Sequence, residues 1–185
     1  MHFPIDNNKL TAFANANWGP QDASRPNSKN MRRVSLNETR SICGHLIFLA
    51  GGALCWKSHK EKRTSGSSCE AEVKATDLCT RSVCSLRHIL ADLHLLDDSP
   101  TVIYNDNQAA VIWSRSYSMK SFRHSNISEN MVREACLFGD VIVQHVSGKI
   151  NPSDIHTKEH KSASLYCDLR DSFMSPGFSA LAAAA

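Results

Sequence analysis

Residues 67–96 read SSCEAEVKATDLCTRSVCSLRHILADLHLL, and this stretch decides the fold. Ser67-Ser68-Cys69-Glu70 has the S-x-x-E form of a capping box, which satisfies the free N–H groups of a helix's first turn. Beyond it Ala75, Leu78, Cys79, Leu86, Ile89, Leu90, Leu93 and Leu96 recur at three- and four-residue steps. That spacing draws one apolar stripe along a long helix, and the stripe is read as core. Thr64-Ser65-Gly66 breaks the chain before it, and Asp97-Asp98-Ser99-Pro100 ends it. A helix with one apolar side needs another layer to cover it, so the flanking segments settle the architecture.

Upstream, residues 10–18 alternate, with Leu10, Ala12, Ala14 and Ala16 on one face and Gly19-Pro20 as the stop, which predicts a strand. Residues 21–40 are polar and read as a loop. Residues 42–49 (ICGHLIFL) form an apolar strand, and Gly51-Gly52 turns into a third strand over residues 54–58. Downstream, residues 101–104 (TVIY) are a short strand too apolar for an edge. Helical patterns follow over residues 108–113 and 128–138, then a strand at 141–146 and a last helical stretch from about Ser153. The expected fold is α/β: a mixed five-stranded sheet, three antiparallel strands followed by parallel ones, with helices on both faces. Residues 1–9 are expected to be irregular, residues 10–174 to form the domain, and residues 175–185, alanine-rich at their end, to form a tail outside it.

Composition narrows the classes. Of 185 residues, 42% are hydrophobic and 21% charged, which excludes a wholly disordered chain. A net charge of +3 permits a nucleic-acid partner without requiring one. The cysteine count is 7, odd, and no C-x-x-C occurs, so reduced thiols are expected rather than a disulfide framework or a zinc knuckle. No run approaches a membrane span and no signal peptide is seen, so the expected location is cytoplasmic (a virus-like particle) or nuclear, not secreted, with no membrane partner.

Chemistry is sought where strand C-termini and helix N-termini gather, because an open α/β sheet places its crevice there. Asn15 lies in the first strand, Glu72 in the first turns of the long helix, Asp106 at the end of the short buried strand, and Asp154 at the start of the last helix. Acids at such points suit magnesium, and two ions roughly 4 Å apart can activate water and stabilise the leaving oxygen of a phosphodiester. Each acid taken alone reads more readily as a solvated or capping residue.

The local words carry a resemblance. They are Phe13-Ala14-Asn15-Ala16-Asn17-Trp18-Gly19, Gly51-Gly52-Ala53-Leu54-Cys55-Trp56, Ser67-Ser68-Cys69-Glu70-Ala71-Glu72, Ile103-Tyr104-Asn105-Asp106-Asn107, Arg123-His124, Val132-Arg133-Glu134, and Asn151-Pro152-Ser153-Asp154-Ile155-His156-Thr157-Lys158. In this order the chain resembles the ribonuclease H domain that ends the Pol polyprotein of copia-like (LTR) retrotransposons. The resemblance implies a ribonuclease H-like fold and two-metal hydrolysis of RNA in RNA–DNA hybrids. It also implies two magnesium ions on Glu72, Asp106, Asp154 and the strand-one position, and the reverse transcriptase module of the same polyprotein as a partner.

The chief departure is at strand one, where the family has Asp and this chain has Asn15. Two divalent ions about 4 Å apart repel by roughly 16 kcal/mol at an effective dielectric of about 20. The family's first Asp bridges both ions and offsets that repulsion, whereas an amide keeps an oxygen and loses the charge. Crippled catalysis is expected, with the second ion in doubt. Ser125 after His124, and His156 where the family has Phe or Leu, are further departures.

Other residues read two ways. Lys57, Lys60, Lys62 and Arg63 grip hybrid phosphates or form a solvated face. Lys149 stands where some ribonucleases H place a mobile His, or is a solvated loop lysine. His124 is read as a cap, and Trp18, Trp56 and Trp113 as core. His156 and His160 are spaced i, i+4 but lack further ligands for zinc. Two function classes follow: a hybrid-cutting endonuclease, intact or decayed, and a non-catalytic module of the same fold that binds nucleic acid or packs on a polymerase.

Overall fold

A computed structural model describes residues 9–19, 40–116, 130–160 and 162–174 of the chain. The strands are β1 (Leu10–Asn17), β2 (Ile42–Leu49), β3 (Gly52–Lys60), β4 (Thr101–Asn105) and β5 (Val141–His145). The helices are α1 (Ser68–Asp92), α2 (Gln108–Arg115), α3 (Asn130–Leu137) and α4 (Ala163–Met174), with short 3-10 helices at Gly148–Ile150 and Pro152–His156. The sheet has the order β3-β2-β1-β4-β5. β1–β2 and β2–β3 are antiparallel, and β1–β4 and β4–β5 are parallel. The mixed five-stranded α/β reading holds.

Alternation along β1 separates the two faces. Ala12 and Ala14, with Ile47 and Ile103, pack against Cys79, Val83 and Leu90 of α1. Further along, Ala16 and Cys43 meet Ala71 and Ala75, so small side chains let α1 lie close over the strands. On the opposite face Phe13, Leu46 and Phe48 form a second cluster, joined by Tyr104 and by Phe173 of α4. Phe13 stacks on Tyr104 at 5.1 Å and meets Phe48 edge-on at 5.7 Å.

Three boundaries differ from the sequence reading. The β2–β3 turn is Ala50-Gly51, both at positive φ (51° and 78°), which frees Gly52 to start the strand. The helix stops at Asp92 and does not run on to Leu96. His94 adopts φ 56°, its N–H donates to Ala91 O, and the Leu95 N–H donates to Leu90 O, which closes the helix as a Schellman motif without a glycine. The apolar stripe therefore loses its end: Ile89 and Leu93 are exposed, while Val83 is core. Finally, Asp154 lies in the Pro152–His156 3-10 helix rather than at the start of α4. The Thr157 hydroxyl donates to Asp154 O, competing with continued helix.

Of the tryptophans, Trp113 is buried, but Trp18 and Trp56 are 48% and 62% exposed. Trp56 sits on β3, the edge strand of the sheet among the described residues.

Candidate active site

Parallel pairing brings the C-terminal ends of β1, β4 and β5 to one end of the sheet. β3 runs in the same sense as β1, being antiparallel to their shared neighbour, so Lys60 reaches that end as well.

The Ser67 half of the capping box forms as its spacing requires, and the reciprocal bond from Glu70 falls one residue earlier, on Gly66. Ser67 Oγ accepts from Glu70 N–H at 3.1 Å, and Glu70 turns back to the Gly66 N–H at 2.7 Å and to Lys74 Nζ at 2.6 Å. Glu70 is thereby held outward, and Glu72, two residues on, turns into the interior at 6% exposure.

Fully buried Asn105 then ties the helix to the sheet. Its Nδ2 donates to Glu72 Oε2 at 3.0 Å and to Thr76 Oγ1 at 3.2 Å, and its Oδ1 accepts from Asn107 N–H at 2.7 Å. Asn107 in turn caps α2 through Ala110 N–H. In the Asn105-Asp106-Asn107 word the two amides build the turn, and Asp106 is the side chain it presents. Gly148 closes on that carboxylate, since a Cβ there would stand 2.8 Å from Asp106 Oδ2.

Asp154 is delivered by Asn151. The Asn151 Nδ2 donates to Ala14 O at 3.1 Å, and its Oδ1 accepts from Ser153 N–H at 3.1 Å and Ser153 Oγ at 2.6 Å. This staples the 3-10 helix to β1. Gly44 on β2 permits the approach, because a Cβ there would stand 2.7 Å from Thr157 Cγ2 and 2.9 Å from His156 Cβ. Asn15 then meets Asp154 directly: its Nδ2 donates to Asp154 Oδ1 and to Thr157 Oγ1, the latter at 2.9 Å. Lys158 Nζ lies 2.6 Å from the same Asp154 Oδ1. Asn15 Oδ1 is buried and has no hydrogen-bond partner among the described residues.

The electrostatics are those of an acidic pocket. Burial, then the charge of Asp106, pushes the Glu72 carboxyl up to about 8, against the pull of Asn105 and the Ala16 N–H. Asp106 is also raised, chiefly by burial, with Asp154 adding and Lys158 opposing. Among the described residues no group of three His, Cys, Asp or Glu side chains is placed to hold a metal ion. The donors nonetheless divide clearly. Glu72 and Asp106 repel each other, and the Lys158 charge that reaches both is ion-paired to Asp154 instead, a pair of oxygen donors of the kind a hard ion takes. Asp154 Oδ1 already receives an amide and an ammonium, which does not suit a second.

Lys57, Lys60, Lys62 and Arg63 are exposed along the end of β3 and just beyond it, outside the carboxylate cluster. Lys149 is exposed on the Gly148–Ile150 3-10 helix, next to the glycine that touches Asp106. The His156 ring lies 6.3 Å from Phe173 and the His160 ring 6.4 Å from Tyr166. His124 falls outside the described residues. Sequence reasoning missed Gly44, Asn105, Asn151, Thr157 and Lys158; all but Gly44 lie inside the quoted words, but their partners are set by the fold.

No family model matches the chain. Among curated proteins it is 28% identical over 125 residues to the retrovirus-related Pol polyprotein from transposon TNT 1-94 of Nicotiana tabacum, covering 66% of this chain and 9% of that protein. It is 28% identical over 151 residues to the corresponding polyprotein from transposon RE1 of Arabidopsis thaliana, covering 80% of this chain and 9% of that protein. The chain thus spans about a tenth of the length of these relatives. Among solved structures it superposes on LC11-RNase H1, isolated from compost, with TM-score 0.51 and 15% identity, covering 81% of this chain and 93% of that one. It matches the N-terminal RNase H domain of rv2228c from Mycobacterium tuberculosis, solved as a fusion with maltose-binding protein, with TM-score 0.51 and 10% identity over 89% of this chain and 97% of that one. By sequence the chain is a relative of the retrovirus-related Pol polyproteins of transposons, and it has the fold of ribonuclease H domains.

Proposed function

We propose that residues 10–174 are the ribonuclease H domain of a copia-like Pol polyprotein, that the domain binds RNA–DNA hybrid, and that its hydrolysis is crippled at Asn15. The observation that carries this is the Asn15 amide donating to Asp154. At the strand-one position the family's charge is missing, and its neighbour carboxylate is neutralised from within the protein.

Glu72 and Asp106 would hold a magnesium ion, with Asp154 as the third carboxylate of the cluster. When bound, the ion supplies an activated water and stabilises the leaving oxygen. The chain's own residues hold the geometry: Asn105 fixes Glu72 and shapes the turn under Asp106, and Asn151 anchors the 3-10 helix of Asp154. Lys60, Lys62 and Arg63 supply phosphate contacts at the same end of the sheet, two strands over from β1, or roughly 10 Å at the usual strand spacing. Recognition of this kind follows A-form shape and 2′-hydroxyls rather than base sequence. The reverse transcriptase module of the same polyprotein is the proposed covalent neighbour, and a virus-like particle in the cytoplasm, or the nucleus, the proposed location.

The second reading, a binding module without catalysis, is favoured by the same closed Asn15–Asp154–Lys158 contact. Cleavage of a labelled hybrid by the wild-type chain and by Asn15→Asp separates them. The expected result is near-background cutting by wild type and measurable cutting by the variant. Equal rates for the two would refute the role given to Asn15, and no cutting by a folded, hybrid-binding variant would favour the module.

A further inference from the structure

Lys158 closes the 151–158 word, and its ammonium lies where a cation serving Asp154 would lie. It stands four residues after Asp154, and the 3-10 helix puts Nζ 2.6 Å from Asp154 Oδ1, with 38% of the lysine side chain still exposed. Its charge also reaches Glu72 and Asp106, where it opposes the effect of burial. Asn15 Oδ1, on the amide that meets Asp154, is fully buried and without a hydrogen-bond partner among the described residues. Asp154 thus has an ammonium from within the chain at hydrogen-bond distance, while Glu72 is met by neutral donors, the Asn105 amide and the Ala16 N–H.

Resting on the ribonuclease H reading above, we propose that Lys158 is a tethered counter-ion that competes with a divalent cation at Asp154. The chain then takes one divalent ion, at Glu72 and Asp106, and the ammonium must leave before a second can enter. An ammonium on a flexible four-carbon stem can withdraw to solvent, so the competition is a matter of occupancy and is sensitive to ion concentration. It differs from the loss at Asn15, because it persists when the Asp is restored.

The test counts ions rather than activity. Manganese binding to the full chain is followed by electron paramagnetic resonance for wild type, Asn15→Asp, and Asn15→Asp combined with Lys158→Gln or Lys158→Arg. The expected result is one ion for wild type. In Asn15→Asp a weak second ion appears, and adding Lys158→Gln tightens it at least tenfold while adding Lys158→Arg leaves it weak. Circular dichroism confirms that each variant is folded. If Asn15→Asp binds two ions as tightly with Lys158 as with Gln at that position, the proposal is overturned. It is equally overturned if the Gln double variant is folded and still binds only one. The functional reading is judged separately, by hybrid cleavage: it fails if wild type cuts as fast as Asn15→Asp, or if the folded, hybrid-binding variant does not cut.

Discussion

Asn15→Asp should make the stability of the domain depend on divalent ions. In the wild type the amide Nδ2 donates to Asp154 Oδ1. A carboxylate in the same place sets two negatively charged oxygens against each other. At about 3 Å and an effective dielectric of about 20, the repulsion is about 5 kcal/mol. Two effects reduce it. Lys158, 2.6 Å from Asp154 Oδ1, attracts both charges. One carboxyl can also take up a proton, and lifting its pKa from about 4 to about 7 costs about 4 kcal/mol at about 1.4 kcal/mol per unit, which caps the loss near neutrality. A net destabilisation of about 2–4 kcal/mol without metal is expected.

For a chain of this size each kcal/mol moves Tm by about 2–4 °C, so the variant should melt about 5–15 °C below wild type in EDTA. Magnesium at about 100 times its dissociation constant returns about 2.7 kcal/mol and most of that shift. The assay is thermal denaturation of both proteins with EDTA and across a magnesium series. A variant that melts with wild type in EDTA and responds no more to magnesium would refute the placement of Asn15 against Asp154.

Gly44→Ala should cost about 1–3 kcal/mol by forcing Thr157 and His156 off β2, read as a lower midpoint in urea; an unchanged midpoint would remove Gly44 from the site. His45 is buried, and burial, helped by the charges of Lys57 and His156, lowers its pKa to about 4. Its contribution to stability is complete above about pH 6.5 and lost as pH falls toward 4, about 3 kcal/mol in all. His45→Gln should therefore lose less stability than wild type between those pH values, and parallel curves would contradict this. Replacing Lys60, Lys62 and Arg63 together with Gln should lower the salt slope of hybrid affinity by roughly 0.9 for each phosphate no longer neutralised, whereas an unchanged slope would return them to a solvated surface.

What the sequence made legible was whatever depends on local periodicity. The alternation of Leu10, Ala12, Ala14 and Ala16, the unbroken apolar run of β2 and the Ser67 cap read correctly because each is decided within a few residues. The end of α1 was not legible, since a Schellman stop normally shows a glycine and here His94 takes the left-handed conformation. The exposure of Trp56 was hidden as well, because its strand became an edge only when the sheet was ordered β3-β2-β1-β4-β5. Within the site, the motif order pointed to the acids, but not to Asn151 reaching Ala14 O or Lys158 reaching Asp154 Oδ1. Those contacts join residues to a backbone atom 137 positions away and to a turn whose 3-10 form no periodicity announces.

The charges at the site bear on how this arrangement keeps its fold with an amide at position 15. Glu72, Asp106 and Asp154 bring three negative charges and Lys158 one positive, leaving a deficit of two when all are ionised. One divalent ion closes that deficit, and a second would leave the pocket cationic by two charges in a largely buried place, where uncompensated charge is costly. With Asp at position 15 the deficit is three, and two ions overshoot by one only. Glu72, with its carboxyl near 8, can hold a proton at neutral pH and reduce the wild-type deficit further when no ion is bound. The pocket with Asn15 is therefore close to neutral on its own, in keeping with the closed contact between its amide, Asp154 and Lys158. On the proposed reading, an amide at position 15 lowers the negative charge of the cluster, so the change that would remove a second ion relieves, rather than strains, the fold without metal.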